Sequence, residues 1–253
     1  PRAGGVVDGS AVRHRGAGCR NRIIGVRGDR RGARVNGPNL ISAAEFHRAP
    51  GVDAWRVTST GPQAVFTAAS LRRAAELVPA IVAAAEEHGV LADVDLRPEG
   101  VVVRVPLRDP EGITANAPAF AAAVSQAAEE LGLTPDPARA QSVGIYVAQH
   151  SEVDARPFFL AALGYDALGE TDAIDPLRCG PLLAFNPIAP DVPGRGRTHF
   201  DVFVPADQAQ ARVEAALAAG GRLVDDAHAP MWWSLASPDN HGVDIASWMD
   251  TYE

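Results

Sequence analysis

His199-Phe200-Asp201-Val202-Phe203-Val204 opens with polar and apolar side chains in alternation and reads as a half-buried strand. A helix over Asp207–Ala219 follows, ended by Gly220-Gly221, and further strands are predicted at Arg222–Asp225, Trp232–Ala236 and Val243–Trp248. The same order stands upstream. There a strand over Val143–Gln149 leads to a helix over Ala155–Leu163, then to strands near Asp166–Ala173 and Pro181–Asn186. Residues 141–253 therefore predict a βαβββ unit used twice, the copies sharing length and order rather than residues.

The N-terminal side reads differently. Ser42-Ala43-Ala44-Glu45 is a capping-box pattern that opens a short helix through Arg48, which Pro50-Gly51 stops. Strands Trp55–Thr58 and Ala64–Thr67 flank a turn at Thr60-Gly61-Pro62. A helix is predicted from Ser70 to about His88, with Pro79 kinking it or marking a displaced start. Asp93–Leu96 and Val101–Val105 form the next hairpin, and a helix over Ala117–Leu131 ends at Gly132. The fold class is α+β, an αββαββα sandwich followed by the paired βαβββ unit. The domains expected are 1–39, 40–133 and 141–253, with Thr134-Pro135-Asp136-Pro137 inside a rigid linker over 134–140.

Residues 1–39 show neither period and are dense in Gly and Arg, so they are expected to be disordered. They also read as upstream sequence translated from an early start, with the natural start near Val35. Nine Arg there stand against Asp8 and Asp29, whereas the whole chain carries a net charge of −8. The remainder is thus strongly acidic, which argues against nucleic acid as the main partner. There is no lysine, which removes Schiff-base and P-loop lysine chemistry. No apolar run reaches membrane-spanning length and no secretory signal is present, so the protein is expected in the cytoplasm without a membrane partner. Cys19 and Cys179 match no metal or disulfide spacing.

Residues 40–133 resemble the pterin-4a-carbinolamine dehydratase family, in element order and in the runs Asp93-Val94-Asp95-Leu96-Arg97 and Gly100-Val101-Val102-Val103-Arg104-Val105. The resemblance implies a pterin ligand and proton transfer by a His-His-Pro run and a later His. Those places fall here on Val90, Leu91 and Ala92, and on Arg108 beside Asp109. Val and Leu carry no exchangeable proton and Arg stays protonated, so dehydratase chemistry is not expected. His88, two residues before the first of these places, is read as a cation at a helix C-terminus.

Residues 141–251 are similar to the glyoxalase-like branch of the vicinal oxygen chelate superfamily. The residues that carry this are Phe158-Phe159-Leu160-Ala161-Ala162-Leu163-Gly164-Tyr165, His199-Phe200-Asp201-Val202 and Ser237-Pro238-Asp239-Asn240-His241-Gly242-Val243-Asp244. The resemblance implies a cup whose metal ligands come from the first and last strands of each unit. His199 falls on one such place. Gly242 falls on another, usually held by Glu, and the first unit's places lie near Val143 or Gly144 and near Phe185, none of them a ligand. Asp201 shares a face with His199, and Asp244 shares one with Gly242. His199, Asp201 and Asp244 are therefore the candidate catalytic group, with His199 as the candidate ligand of a divalent metal.

Trp232 and Trp233 point to opposite faces of a strand, one into the core and the other toward the cup. Arg195 and Arg197 are candidates for gripping a carboxylate or phosphate, against the plainer reading of a solvated loop. His228 and His241 read as solvent-exposed loop residues. Three functions stay open: a small-molecule-binding protein using the C-terminal cup, a lyase, isomerase or dioxygenase built on His199, and a carbinolamine dehydratase. A homo-oligomer is expected by analogy with such folds.

Overall fold

The computed structural model describes residues 40–107, 112–150, 154, 156–188, 198–236 and 241–251. The expected disorder of residues 1–39, together with Arg108, Asp109, Arg195 and Arg197, lies outside these residues.

The N-terminal half begins with β1 (Leu40–Ile41) and α1 (Ala43–Arg48). Ser42 accepts a hydrogen bond from Glu45 N–H, and the Glu45 carboxylate accepts one from Ser42 N–H, so the capping box is formed as the spacing predicts. Strands β2 (Trp55–Thr58) and β3 (Gly61–Thr67) pair antiparallel. The long helix divides into α2 (Leu71–Ala75) and α3 (Val78–His88). Pro79 sits in the first turn of α3, where its missing N–H costs no intrahelical bond. Then come β4 (Asp93–Arg97), β5 (Gly100–Arg104), a short β6 (Ile113–Thr114) paired with β1, and α4 (Ala117–Glu130).

The main N-terminal sheet runs β2-β3-β5-β4, antiparallel throughout. Its core joins Trp55, Val57, Phe66, Val101 and Val103 to Leu77 and Ile81 at the α3 side and Phe120 and Val124 of α4. Trp55 donates its indole N–H to Ala121 O and to Ser125 Oγ, which satisfies the one polar atom of a fully buried side chain. Residues expected to be a linker are instead partly built into this half. Thr134–Pro135 form β7 on β3, and Asp136 N–H donates to Val65 O.

In the C-terminal half, β8 (Ser142–His150), α5 (Arg156–Leu163), β9 (Asp166–Leu168), β10 (Asp172–Ile174) and β11 (Leu182–Ile188) form one βαβββ unit. The second comprises β12 (Thr198–Phe203), α6 (Ala206–Ala218), β13 (Arg222–Asp225), β14 (Trp232–Ala236) and β15 (Gly242–Ala246). The last expected strand stops at Ala246, and Trp248 opens α7 (Trp248–Thr251) instead.

The eight strands make one sheet in the order β13-β14-β15-β12-β8-β11-β10-β9. Each unit thus places its first strand at the centre, its last strand parallel beside it, and the other two outward. The central strands β8 and β12 meet antiparallel. This mirrored order bears out the repeat that the sequence expressed only as a pattern of lengths.

One face of the sheet is apolar and carries the helices. Ile145, Val147, Leu183 and Phe185 pack with Phe159 and Leu160 of α5, while Val202, Leu235 and Ile245 pack with Ala209 and Val213 of α6. Because side chains alternate, the opposite face is left to Gly144, Tyr146, His199, Asp201, Ser234 and Asp244.

The two halves are tied by polar contacts. The Asp250 carboxylate on α7 accepts from Val57 N–H (2.9 Å) and His47 Nε2 (2.7 Å) of the N-terminal half. It also accepts from Ala206 N–H (3.0 Å) at the start of α6. Arg178, in the loop before β11, grips Asp93 of β4 through Nε and one terminal nitrogen, both at 2.6 Å. Ser59 and Ser142 are hydrogen-bonded through their hydroxyls at 2.7 Å. No helix among the described residues is long and apolar enough to cross a membrane.

Candidate functional site

The pairing register builds the site. Asp201 of β12 lies directly opposite Asp244 of β15 on one side and Gly144 of β8 on the other. Paired residues project to the same face, so the two carboxylates meet on the face without helices. His199, two residues before Asp201, shares that face and lies opposite Tyr146. Ser234 of β14 stands opposite Asp244 and extends the polar row.

The three side chains singled out in the sequence come together. His199 Nε2 is 3.2 Å from Asp201 Oδ1 and 3.9 Å from Asp244 Oδ2. One donor atom from each residue lies within 4.8 Å of the others. The group is buried: Asp201 has 0% of its surface exposed and Asp244 5%. Two carboxylates at adjacent positions out of water repel one another, and a cation between them would relieve that repulsion. The imidazole offers one form of compensation when protonated, and its neutral nitrogen offers a ligand atom when it is not.

Strand direction sorts the remaining candidates. Trp232 lies on the face of Ser234 and Asp244, and its ring stacks on His228 with centroids 4.0 Å apart and planes at 16°. Trp233 takes the other face and packs against the cluster of Val204, Val213, Leu235 and Ile245. Of the two tryptophans, Trp232 alone lies on the face that carries Asp244 and Ser234. His228 and His241 are exposed, as read from the sequence, although His228 has its ring against Trp232.

The first unit's places need one adjustment. Phe185 belongs to the helix side, where it packs 5.4 Å from Phe159. The residues of that unit facing the site are Gly144, Tyr146, Leu182 and Ala184, paired across β8 and β11. Tyr146 was missed in the sequence. Its ring stacks on His199 with centroids 5.4 Å apart and planes at 26°. Only the β8–β12 register reveals this, because the two residues are far apart in the chain.

In the N-terminal half a small cleft opens where the resemblance placed the missing imidazoles. Val90, Leu91, Val105, Leu107 and Ile113 line it, with Thr114 the one side chain among its described lining residues that bears a polar group. His88 ends α3, and its carbonyl accepts from Asn116 Nδ2.

Comparison with known proteins bears on the C-terminal half. Residues 131–246 match the model of a family described as a glyoxalase-like domain. Among the solved structures, 14 chains match. One is a glyoxalase/bleomycin resistance protein/dioxygenase superfamily member from Vibrio splendidus 12B01. It is 14% identical, with 43% of this chain and 99% of its own covered and a TM-score of 0.29. No curated protein matches the chain.

Proposed function

We propose, from the match of residues 131–246 to a glyoxalase-like domain, that the C-terminal half is of the vicinal oxygen chelate type and binds a small molecule at a divalent cation held by His199, Asp201 and Asp244. The observation that carries this reading is the convergence of one imidazole and two buried carboxylates within 4.8 Å. Donors of an octahedral centre with bonds of about 2.1 Å would lie about 3 Å apart; His199 and Asp201 are at 3.2 Å, and Asp244, at 3.9 Å from His199, would have to close in on the ion. One nitrogen and two oxygens are a donor set for a hard or borderline divalent ion. Such an ion supplies Lewis acidity toward an oxygen of the bound molecule. The chain's own contribution is to hold the donors and keep them out of bulk water, with Ser234 and Trp232 on the same face, while the ion would compensate the two desolvated charges.

A second reading keeps the same three residues without a metal. His199 at 3.2 Å from Asp201 then forms an imidazole–carboxylate pair suited to general acid–base work. Metal content separates the two. Purified protein is expected to carry about one divalent ion per chain, lost in His199→Ala and in Asp244→Asn. Metal-free protein that takes up none from solution would leave the acid–base reading.

For the N-terminal half, the reading is a dehydratase-like scaffold without the dehydration chemistry. The apolar lining at Val90 and Leu91 supports it, since none of the described lining residues carries an imidazole or a carboxylate. Carbinolamine turnover by the purified chain is expected at the uncatalysed rate, and substantial turnover overturns this part of the proposal.

A further inference from the structure

We infer that Tyr146 and Gly242 are positioning residues that tilt His199 along its strand onto the Asp201–Asp244 pair. The inference rests on the cation reading above and identifies what shapes that site.

Residues two apart on one face of an antiparallel strand are separated by about 6.8 Å. His199 nevertheless brings Nε2 to 3.2 Å from Asp201 Oδ1 and 3.9 Å from Asp244 Oδ2. Its imidazole must therefore lean along the strand toward Asp201. The ring opposite leans the same way. A Cβ placed on Gly144 would stand 3.2 Å from Tyr146 Cε2, so the phenol ring lies over Gly144, and Gly144 is the residue paired with Asp201. Tyr146 and His199, themselves a cross-strand pair, are stacked and tilted together toward the Gly144–Asp201 pair.

Gly242 bounds the other flank. A Cβ there would come within 3.2 Å of His199 Cβ, tighter than ordinary packing, so any larger residue at 242 requires the stem of the histidine to give by a few tenths of an ångström. Gly242 has no positive φ and its backbone suits other residues. Its requirement is space for His199, not conformation. A carboxylate side chain at position 242 would share a face with Asp244, yet by this geometry it displaces the histidine instead of adding a useful donor.

The test uses the full chain, Co²⁺ alone as the probe, and the aromatic proton resonances of His199 in metal-free protein. Tyr146→Phe keeps the ring and is expected to bind Co²⁺ within about twofold of the wild type. Tyr146→Ala removes the stack and is expected to bind roughly threefold to tenfold more weakly, the size of an aromatic pair. Gly242→Glu is expected to weaken binding and alter the visible Co²⁺ spectrum although it adds a carboxylate. In metal-free protein, the ring-current displacement of the His199 resonances is expected to survive Tyr146→Phe and vanish in Tyr146→Ala. Tighter binding by Gly242→Glu, or unchanged binding and unchanged resonances in Tyr146→Ala, overturns the inference. If the wild type takes up no Co²⁺, the cation reading falls, and the resonances alone still decide whether Tyr146 seats His199.

Discussion

Asp201 shows at the scale of one residue how a site and a stable fold pull in opposite directions. Its carboxylate has no exposed surface and shares its neighbourhood with Asp244, an arrangement that costs stability unless a cation or a proton compensates it. Asp201→Asn removes one of the two charges at nearly constant shape. Metal-free Asp201→Asn protein is expected to be more stable than the wild type by about 1 kcal/mol in chemical denaturation. Added divalent ion should raise the melting temperature of the wild type and leave that of the variant nearly unchanged. Loss of stability in metal-free Asp201→Asn would mean that the carboxylate is already compensated by the chain itself.

Single elements carry the signals that were easiest to read. The capping box at Ser42 and Glu45 is local, and both of its hydrogen bonds form where the four-residue spacing places them. Ser42→Ala is expected to cost about 1 kcal/mol, measured by thermal or denaturant unfolding, because a helix N–H loses its acceptor. Pro79 likewise acted locally, dividing one predicted helix into α2 and α3 and taking the first turn of the second. Elements whose ends depend on distant contacts were less legible. Thr134–Pro135 has the composition of a linker, yet it forms β7 because β3 offers it an edge. Trp248, expected to end the last strand, starts α7 instead, whose Asp250 N–H donates to Ser247 O.

Asp250 belongs to the scale of the whole molecule, for it joins α1, β2 and α6 through one carboxylate. Burial by itself would raise its pKa. The hydrogen bonds from His47, Ala206 N–H and Val57 N–H outweigh that and hold it below the usual carboxylate range. A lowered folded value means stabilisation that is complete above the unfolded value, about 3.9, and lost as pH falls through the folded one. Asp250→Ala leaves buried donors in both halves without an acceptor, at an expected cost of about 3 kcal/mol near neutral pH. The difference in stability between wild type and Asp250→Ala should therefore shrink as pH is lowered below about 4. A difference independent of pH would show that packing, not the carboxylate, joins the halves there. The Arg178–Asp93 pair is partly exposed, and solvent screening limits it to about 1 kcal/mol or less.

Local chemistry and periodicity were sufficient for most helices and strands and for the doubled βαβββ pattern, though not for β1, β6, β7 and α7. The family resemblance together with strand alternation pointed to His199, Asp201 and Asp244. Spacing along one strand and alternation of its faces are properties of the chain itself. What joins those residues is a matter of register: β12 had to lie between β8 and β15 before Asp201 could meet Asp244 and His199 could meet Tyr146. The roles of Gly242 as clearance and of Asp250 as a tie between halves were likewise decided only in three dimensions. Both depend on neighbours brought close by folding, and no local pattern in the sequence encodes that distance.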